Sequence, residues 1–192
     1  MATWEQTTLD KLGILQRGKQ THKPEYDPVL FENGTVPFVQ VWCVNESLFV
    51  NNIRKYYNEV GLKQSKTFSK GTVCIVNSGS VADSAILEEA SSLCTQLHGF
   101  NCFENVSDNL FVKYCFDFQK IKKFCQNIAS AVSSSRKLTL DRILKIPFPN
   151  PPFELQQKIG KILSAYDLLI ENYQRQIEEA KKQVVWKMIH TS

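Results

Sequence analysis

The sequence lacks the features that mark several common classes of protein. Its six cysteines include no C-x-x-C pair, and several lie inside apolar runs, such as Cys74 in TVCIV and Cys115 in VKYCF. Cysteine in such runs behaves as a small apolar side chain, so we expect reduced thiols. No apolar run approaches the length of about 18 residues that a membrane-spanning helix needs, and residues 1–10 lack a signal-peptide pattern. We therefore expect a cytoplasmic protein with no membrane partner.

Glycine is also sparse, and its spacing does not suit a nucleotide cofactor. No two of the eight glycines are separated by a single residue, so no G-x-G turn can bring the backbone close to a cofactor. This bears on residues 150–153, Asn-Pro-Pro-Phe, which look like the catalytic motif of DNA amino-methyltransferases. Such an enzyme must bind S-adenosylmethionine, so it stays only an alternative. Prolines also suit the first turn of a helix, where N–H groups have no intrahelical partner.

Metal ligation has one weak candidate. Cys94, His98 and Cys102 are spaced four apart and could share a helix face, but three ligands without an obvious fourth make a poor zinc site. We expect no metal and no cofactor.

Charge is distributed unevenly along the chain, although the net value of +4 is mild. No Lys or Arg occurs from 71 to 112, while basic residues are frequent on both sides of that span. Two electrostatic faces would result, one of which could meet phosphates through its loops; scattered solvated charge is the alternative. The acids of the span are Asp83, Glu88, Glu89, Glu104 and Asp108.

Residue patterns predict an α+β fold with a mixed, mostly antiparallel sheet. Apolar runs with β-branched and aromatic residues predict strands at 35–42 and 109–116. Residues 70–80 hold a turn, a five-residue apolar run and a polar Gly loop, which predicts a buried strand that ends in a loop. Helical spacing predicts a helix over 117–132 with Asp117 as its N-cap. Three lone aromatics are expected in the core or at an interface, with base-stacking platforms as the alternative: Trp4, Trp42 and Trp186.

One long helix is predicted over 153–190, so we divide the chain into a domain at 1–150 and a helical extension at 151–192. Apolar residues recur there in steps of three and four for about four heptads, which is typical of a coiled-coil-forming helix. Such a helix is roughly 55 Å long, longer than a domain of this size is wide. Part of its apolar stripe should therefore pack on another helix; folding back onto its own domain is the alternative.

Residues 138–178 resemble a segment of the specificity subunits of type I restriction-modification enzymes. In that family a target-recognition domain ends in an l-x-x-i-x-i-P-x-P-x-x-E-Q-x-x-I run, and a long helix with an l-D-x-l-I segment follows. Here Asn150 is an extra residue, which produces the methyltransferase-like tetrapeptide, and the E-Q pair is altered to Glu154-Leu155-Gln156-Gln157. The matching residues are Leu140, Ile143, Ile146, Pro147, Pro149, Pro151, Pro152, Glu154, Gln156, Gln157, Ile159, Leu163, Asp167 and Ile170.

Upstream segments are similar in order, though more loosely. Residues 7–20 resemble the family's opening helix and basic Gly turn, and 35–41 its strand. Residues 56–81 resemble the e-x-G-l segment, the p-K-G-t-v strand and the polar Gly loop, and 129–143 resemble the Ser-rich loop before the final strand.

The resemblance implies a non-catalytic DNA reader that sits between methyltransferase subunits, with restriction subunits joining outside. Family members usually hold two recognition domains and two such helices, whereas this sequence has one of each. We therefore predict a half-length subunit that forms a homodimer through its helix and reads a bipartite site on double-stranded DNA. A coiled-coil scaffold with no DNA role is a further alternative.

The resemblance places loops, and residue chemistry then selects candidates within them. Base edges are read by Arg, Lys, Asn, Gln, Ser or Thr, and phosphates by Lys and Arg. The candidate DNA-binding residues are Arg17, Lys19, Gln20, Lys23, Asn77, Ser78, Ser80, Ser134, Ser135, Arg136 and Lys137. The candidate interface residues are Ile159, Ile162, Leu163, Tyr166, Leu169, Ile170, Tyr173, Ile177 and Val184.

Overall fold

A computed structural model describes residues 4–23, 25–45, 47–130 and 137–190, with the side chains of 130 and 187–190 left out. The strands within these ranges are β1 (Gln6–Thr8), β2 (Gly13–Arg17), β3 (Val36–Val39), β4 (Tyr56–Tyr57), β5 (Thr67–Phe68), β6 (Val73–Val76), β7 (Ser84–Ile86), β8 (Ser91–Leu93), β9 (Leu97–Cys102) and β10 (Pro147–Pro149). The α-helices are α1 (Glu59–Lys63), α2 (Asn109–Asp117), α3 (Gln119–Ser130), α4 (Leu140–Ile143) and α5 (Phe153–His190). Short 3-10 turns lie at Leu9–Lys11, Pro28–Leu30 and Val41–Cys43.

Two four-stranded sheets make up the body of the domain. One has the order β2-β9-β6-β7 and is antiparallel throughout; the other has the order β4-β3-β8-β5, in which only β3 and β8 run parallel. Strands β8 and β9 belong to different sheets and are joined by a turn at 94–96, while β1 and β10 form a separate antiparallel pair. The α+β prediction with mixed, mostly antiparallel pairing is confirmed.

Strand β6 shows why part of the core was easy to predict. Val73 and Ile75 face one apolar cluster, which includes residues of α2 and α3, and Cys74 and Val76 face a second cluster under β3 and β8. Side chains alternate across a strand, so a strand that is buried on both faces is a continuous apolar run. The buried strand predicted within 70–80 is therefore correct, and the strand predicted at 35–42 ends at Val39 before a 3-10 turn.

The prediction of a strand at 109–116 is wrong, because this segment forms α2. Asp108 caps the helix, its carboxylate accepting a hydrogen bond from the N–H of Phe111 at 2.9 Å. Phe111, Val112, Cys115 and Phe116 are buried, which is helical spacing. Aromatic and β-branched residues favour strands only weakly, and here the cap and the packing of one helix face outweigh that preference.

The start of the next helix also differs from prediction. Asp117 is the last residue of α2 rather than the N-cap of α3, and its carboxylate pairs with the buried ammonium of Lys113. The expected opening helix at 7–20 is replaced by β1, a 3-10 turn at Leu9–Lys11 and β2. Before β10, the chain forms the short helix α4.

Helix α5 confirms the predicted long helix, with 38 residues. Its first turns pack against α2, where Gly160 lies so close to Leu110 that an added Cβ would sit 2.7 Å from the Leu110 Cβ. Further along, the Tyr114 hydroxyl donates a hydrogen bond to Asp167 at 2.7 Å. Within the described ranges, no helix combines the length and apolarity needed to cross a bilayer.

Candidate functional site

The strand order brings the ends of several strands together at one end of the two-sheet body, which we call a pole. Pairing of β2 and β6 with β9 places Arg17 opposite His98 and Val76 opposite Leu97, at the start of β9. The parallel partner β3 ends beside the end of β8, and antiparallel β5 begins there. Four loops and the 94–96 turn therefore meet at this pole.

The turn after β8 is the meeting point of the first two predicted DNA-binding loops. The Thr95 carbonyl accepts hydrogen bonds from Arg17 Nε at 3.0 Å and from Asn77 Nδ2 at 3.1 Å. The Asn77 backbone N–H donates to the Gln96 carbonyl at 2.9 Å, and the Gln96 side chain donates to the Ser78 hydroxyl at 3.3 Å. Two segments 60 residues apart in sequence thus share one small cluster.

The described end of the third predicted loop joins the same cluster. Lys137 forms a β-bridge with Ser78, and the Leu138 N–H donates to the Asn77 carbonyl at 2.8 Å. His98 Nε2 donates to the Leu138 carbonyl at 3.1 Å, and burial lowers the pKa of His98, so its ring is neutral and structural. The other candidates of this loop lie outside the described residues: Ser134, Ser135 and Arg136.

The candidate DNA-binding residues differ in how far their side chains are exposed. Asn77 and Ser78 are only 5% and 9% exposed, so their side chains hold the loops together. Gln20 is half-buried. The exposed candidates, available to a ligand, are Arg17, Lys19, Lys23, Ser80 and Lys137.

Backbone contacts to the end of α1 hold the loop that follows β2. The Ser65 hydroxyl donates to the Lys19 carbonyl at 2.9 Å. The Gln64 carboxamide accepts from the Lys23 N–H and donates to the Lys23 carbonyl, both at 2.7 Å. The two lysines are therefore presented on an anchored backbone, which suits a fixed array of phosphate contacts.

The structure adds three cations that sequence reasoning did not select: Arg54 and Lys55 before β4, and Lys66 before β5. The Lys55 carbonyl accepts from the Phe38 N–H at 2.9 Å, which places this segment beside the end of β3, at the same pole. The Lys55 ammonium lies 4.8 Å from the centre of the Tyr26 ring. The basic doublet is visible in the sequence, but only the β3–β4 pairing assigns it to this surface.

We call this surface the basic pole: Arg17, Lys19, Lys23, Arg54, Lys55, Lys66 and Lys137. The opposite ends of the strands carry acidic residues. Glu88 and Glu89 precede β8, and Glu104 follows β9. At the basic pole, Asp83 is paired with Lys122 at 2.6 Å. Glu88, Glu89 and Glu104 therefore lie at the end of the domain opposite the basic pole, an end that also carries Lys11 and Lys70.

Most of the apolar stripe on α5 is exposed. Ile159 is the exception, since it packs against the domain core. The exposed members are Ile162, Leu163, Tyr166, Leu169, Ile170, Tyr173, Ile177 and Val184. The alternative in which the helix folds back wholly onto its own domain therefore does not hold for the described residues.

The methyltransferase-like tetrapeptide forms internal contacts. Gln156, which is 1% exposed, donates through Nε2 to the Pro151 carbonyl at 3.0 Å and lies 3.5 Å from Asn150 Oδ1. Its Oε1 accepts from the Asp108 N–H at 3.2 Å. The groups that would hold a flipped base thus tie the start of α5 to α2.

The proposed zinc ligands do not share a helix face. His98 is the second residue of β9 and Cys102 is its last, while Cys94 precedes that strand. Four residues of strand span about 13 Å, too far for two ligands of one ion. Within the described residues, no group of three His, Cys, Asp or Glu side chains is arranged to hold a metal.

Three solved structures share this fold. One chain comes from a study of complex assembly and conformational transition of the type I R-M system, with a TM-score of 0.64, 16% identity, and coverage of 96% of this chain and 42% of that one. The HsdS subunit of Thermoanaerobacter tengcongensis matches with a TM-score of 0.63 and 17% identity, and the match covers 93% of this chain and 40% of that one. The type I restriction-modification S subunit of M. genitalium matches with a TM-score of 0.62 and 19% identity, and the match covers 93% of this chain and 43% of that one.

This chain thus spans about two fifths of the length of these structures. A family model for the type I restriction modification DNA specificity domain matches residues 1–182. That match covers nearly the whole sequence, so the protein belongs to the family of type I restriction modification DNA specificity domains.

Proposed function

We propose that this protein is the DNA-recognition subunit of a type I restriction-modification system and catalyses no reaction itself. As a homodimer of half-length subunits, it directs methyltransferase subunits, and through them restriction subunits, to a bipartite DNA site. The observation that carries the proposal is the convergence of distant loops on one basic pole, on a domain whose long helix leaves its apolar stripe exposed.

The basic pole has the composition of a DNA-reading surface. Exposed Arg and Lys neutralise phosphates and release counterions, which supplies sequence-independent affinity. Polar side chains between them, such as Gln20 and Ser80, suit base edges. The shared Thr95 contact keeps the loops in fixed relation, so the cations can match the spacing of phosphates.

Helix α5 supports a two-fold dimer. Beyond Asp167, where Tyr114 ties the helix to the domain, 23 residues remain, which extend roughly 35 Å. That length is close to one turn of B-DNA, the separation that two half-sites on one face require. Two reading domains held at a set distance multiply specificity, since each mismatched base pair costs only about 1–3 kcal/mol.

DNA binding tests the proposal, with the methyltransferase subunit present because the complete complex is the functional unit. Binding is measured against salt concentration for R17A/K19A/K137A and for the control K11A/K70A/K145A, which removes three exposed lysines away from the basic pole. We expect the first variant to lose up to about three units of the log–log salt slope, since each phosphate contact contributes about 0.9. If the salt slope is the same in both variants, DNA binds to a surface other than the basic pole.

Two further outcomes separate the alternatives. If the complex binds no DNA but still assembles through α5, the protein is a scaffold. If the isolated chain binds S-adenosylmethionine, the methyltransferase alternative gains support.

A further inference from the structure

We infer that Trp42 contacts the bases of bound duplex DNA and is a specificity-determining residue of the basic pole. This inference rests on the proposed function and adds a contact that no charged side chain can supply. Its starting point is that Trp42 is 51% exposed, so the indole is not part of the core and is accessible to a ligand.

The position of Trp42 follows from the contacts of its neighbours. Trp42 is the middle residue of the 3-10 turn Val41–Cys43, directly after β3. The Cys94 N–H donates to the Val39 carbonyl at 3.0 Å, and the Val41 N–H points to the Cys94 sulfur. Cys94 precedes Thr95, the residue on which Arg17 and Asn77 converge. The indole therefore projects from a turn that adjoins the centre of the basic pole.

The turn holds its backbone rigidly. The Cys43 N–H donates to the Gln40 carbonyl at 2.9 Å, and the Val44 N–H to the Val41 carbonyl at 3.0 Å. The Asn51 N–H donates to the Cys43 carbonyl at 3.1 Å. Gln40, Cys43 and Val44 are buried, so both flanks of the turn are anchored while the indole stays outside. A preorganised aromatic side chain loses little conformational entropy when it binds.

The charges around Trp42 favour nucleic acid over an apolar protein surface. The Cys43 thiol donates to the Asn52 carbonyl at 3.7 Å, which brings the segment that carries the exposed Arg54 beside the turn. Arg17 is bonded to Thr95, and the preceding residue, Cys94, is bonded to the end of β3 just before the turn. Cations close to an exposed aromatic ring suit a DNA groove, in which phosphates lie at the edges and base edges lie between them.

Two matched variants provide the test, in complex with the methyltransferase subunit. We expect W42A to weaken binding to the cognate duplex by about tenfold to a hundredfold, the range by which contacts to one base pair of a duplex site change affinity. The salt slope should not change, because no charge is removed. W4A is the control: Trp4 is also 43% exposed but lies beside Pro151 and Phe153, away from the basic pole, so its loss should leave binding unchanged.

Fluorescence gives a readout that does not depend on affinity. In W4F/W186F the remaining tryptophan of this chain is Trp42, so its emission is the difference between this complex and the same complex with W4F/W42F/W186F; that difference should be quenched on addition of the cognate duplex. If the wild-type complex binds DNA while W42A keeps full affinity and Trp42 emission does not change, the inference fails and the proposed function stands. If W42A instead loses the methyltransferase subunit, Trp42 is a protein contact. Failure of the wild-type complex to bind any DNA overturns both.

Discussion

Removal of two apolar side chains from α5 should separate the proposed homodimer. Leu169 and Ile177 are 46% and 53% exposed in the single chain. A fully buried Leu or Ile is worth about 1.5–3 kcal/mol, so covering the exposed half of each contributes about 1 kcal/mol. Two-fold symmetry places four such side chains in the interface of each dimer. The variant L169A/I177A should therefore lose about 4 kcal/mol of dimerisation free energy.

That loss corresponds to an increase of roughly 500- to 1,000-fold in the dimer dissociation constant, at 1.4 kcal/mol per factor of ten. Sedimentation velocity over a range of concentrations measures the constant. Alanine is the best helix former, so the variant should keep α5 intact and its circular dichroism spectrum unchanged.

The control E179A/K182A removes two exposed side chains from the opposite side of α5 without changing the net charge. Its dimer dissociation constant should match that of the wild type. If L169A/I177A dimerises as tightly as this control, the α5 stripe does not form the dimer interface, and the argument for a two-fold reader of a bipartite site is wrong.

Three predictions concern stability. D117A leaves the fully buried Lys113 ammonium without its carboxylate partner and should cost about 3–5 kcal/mol in urea unfolding, whereas a solvent-exposed pair would cost at most about 1 kcal/mol. Y114F removes the hydrogen bond to Asp167 and should cost about 2 kcal/mol by the same measurement. Burial lowers the pKa of His98, so the unfolded chain takes up a proton at this residue more readily than the folded chain does. The free energy of unfolding should therefore fall as the pH decreases below about 6.5, the pKa of an unperturbed histidine. In H98Q this part of the dependence of unfolding free energy on pH should be flatter.

The long helix could be predicted because its signal is local and repeated. Steps of three and four over many turns fit only a helix, and the prolines before Phe153 mark its start. The buried strand β6 was also predictable, since both of its faces are apolar. By contrast, the 109–116 segment was assigned wrongly, because short apolar runs fit a strand or a helix equally well until the Asp108 cap and the packing of α2 decide.

The candidate site shows the same division. Side-chain chemistry was enough to select Arg17, Lys19 and Lys137 as possible phosphate ligands. It did not distinguish Asn77, which is buried and binds the Thr95 carbonyl, from residues that face solvent. For Trp42 the sequence left the core, an interface and base stacking open, and the turn excludes the core because it leaves the indole half exposed.

The sequence alone determined the properties that depend on neighbours in the chain. These are the long amphipathic helix, the continuous apolar strand and the chemical types of the loop residues. Only the tertiary structure decided which of those loops share a surface. Strand order joins residues 17, 54, 77 and 137 at one pole, and pairing between distant strands cannot be read from local periodicity. The same long-range contacts decided that Ile159 packs on the domain while the stripe beyond it remains exposed.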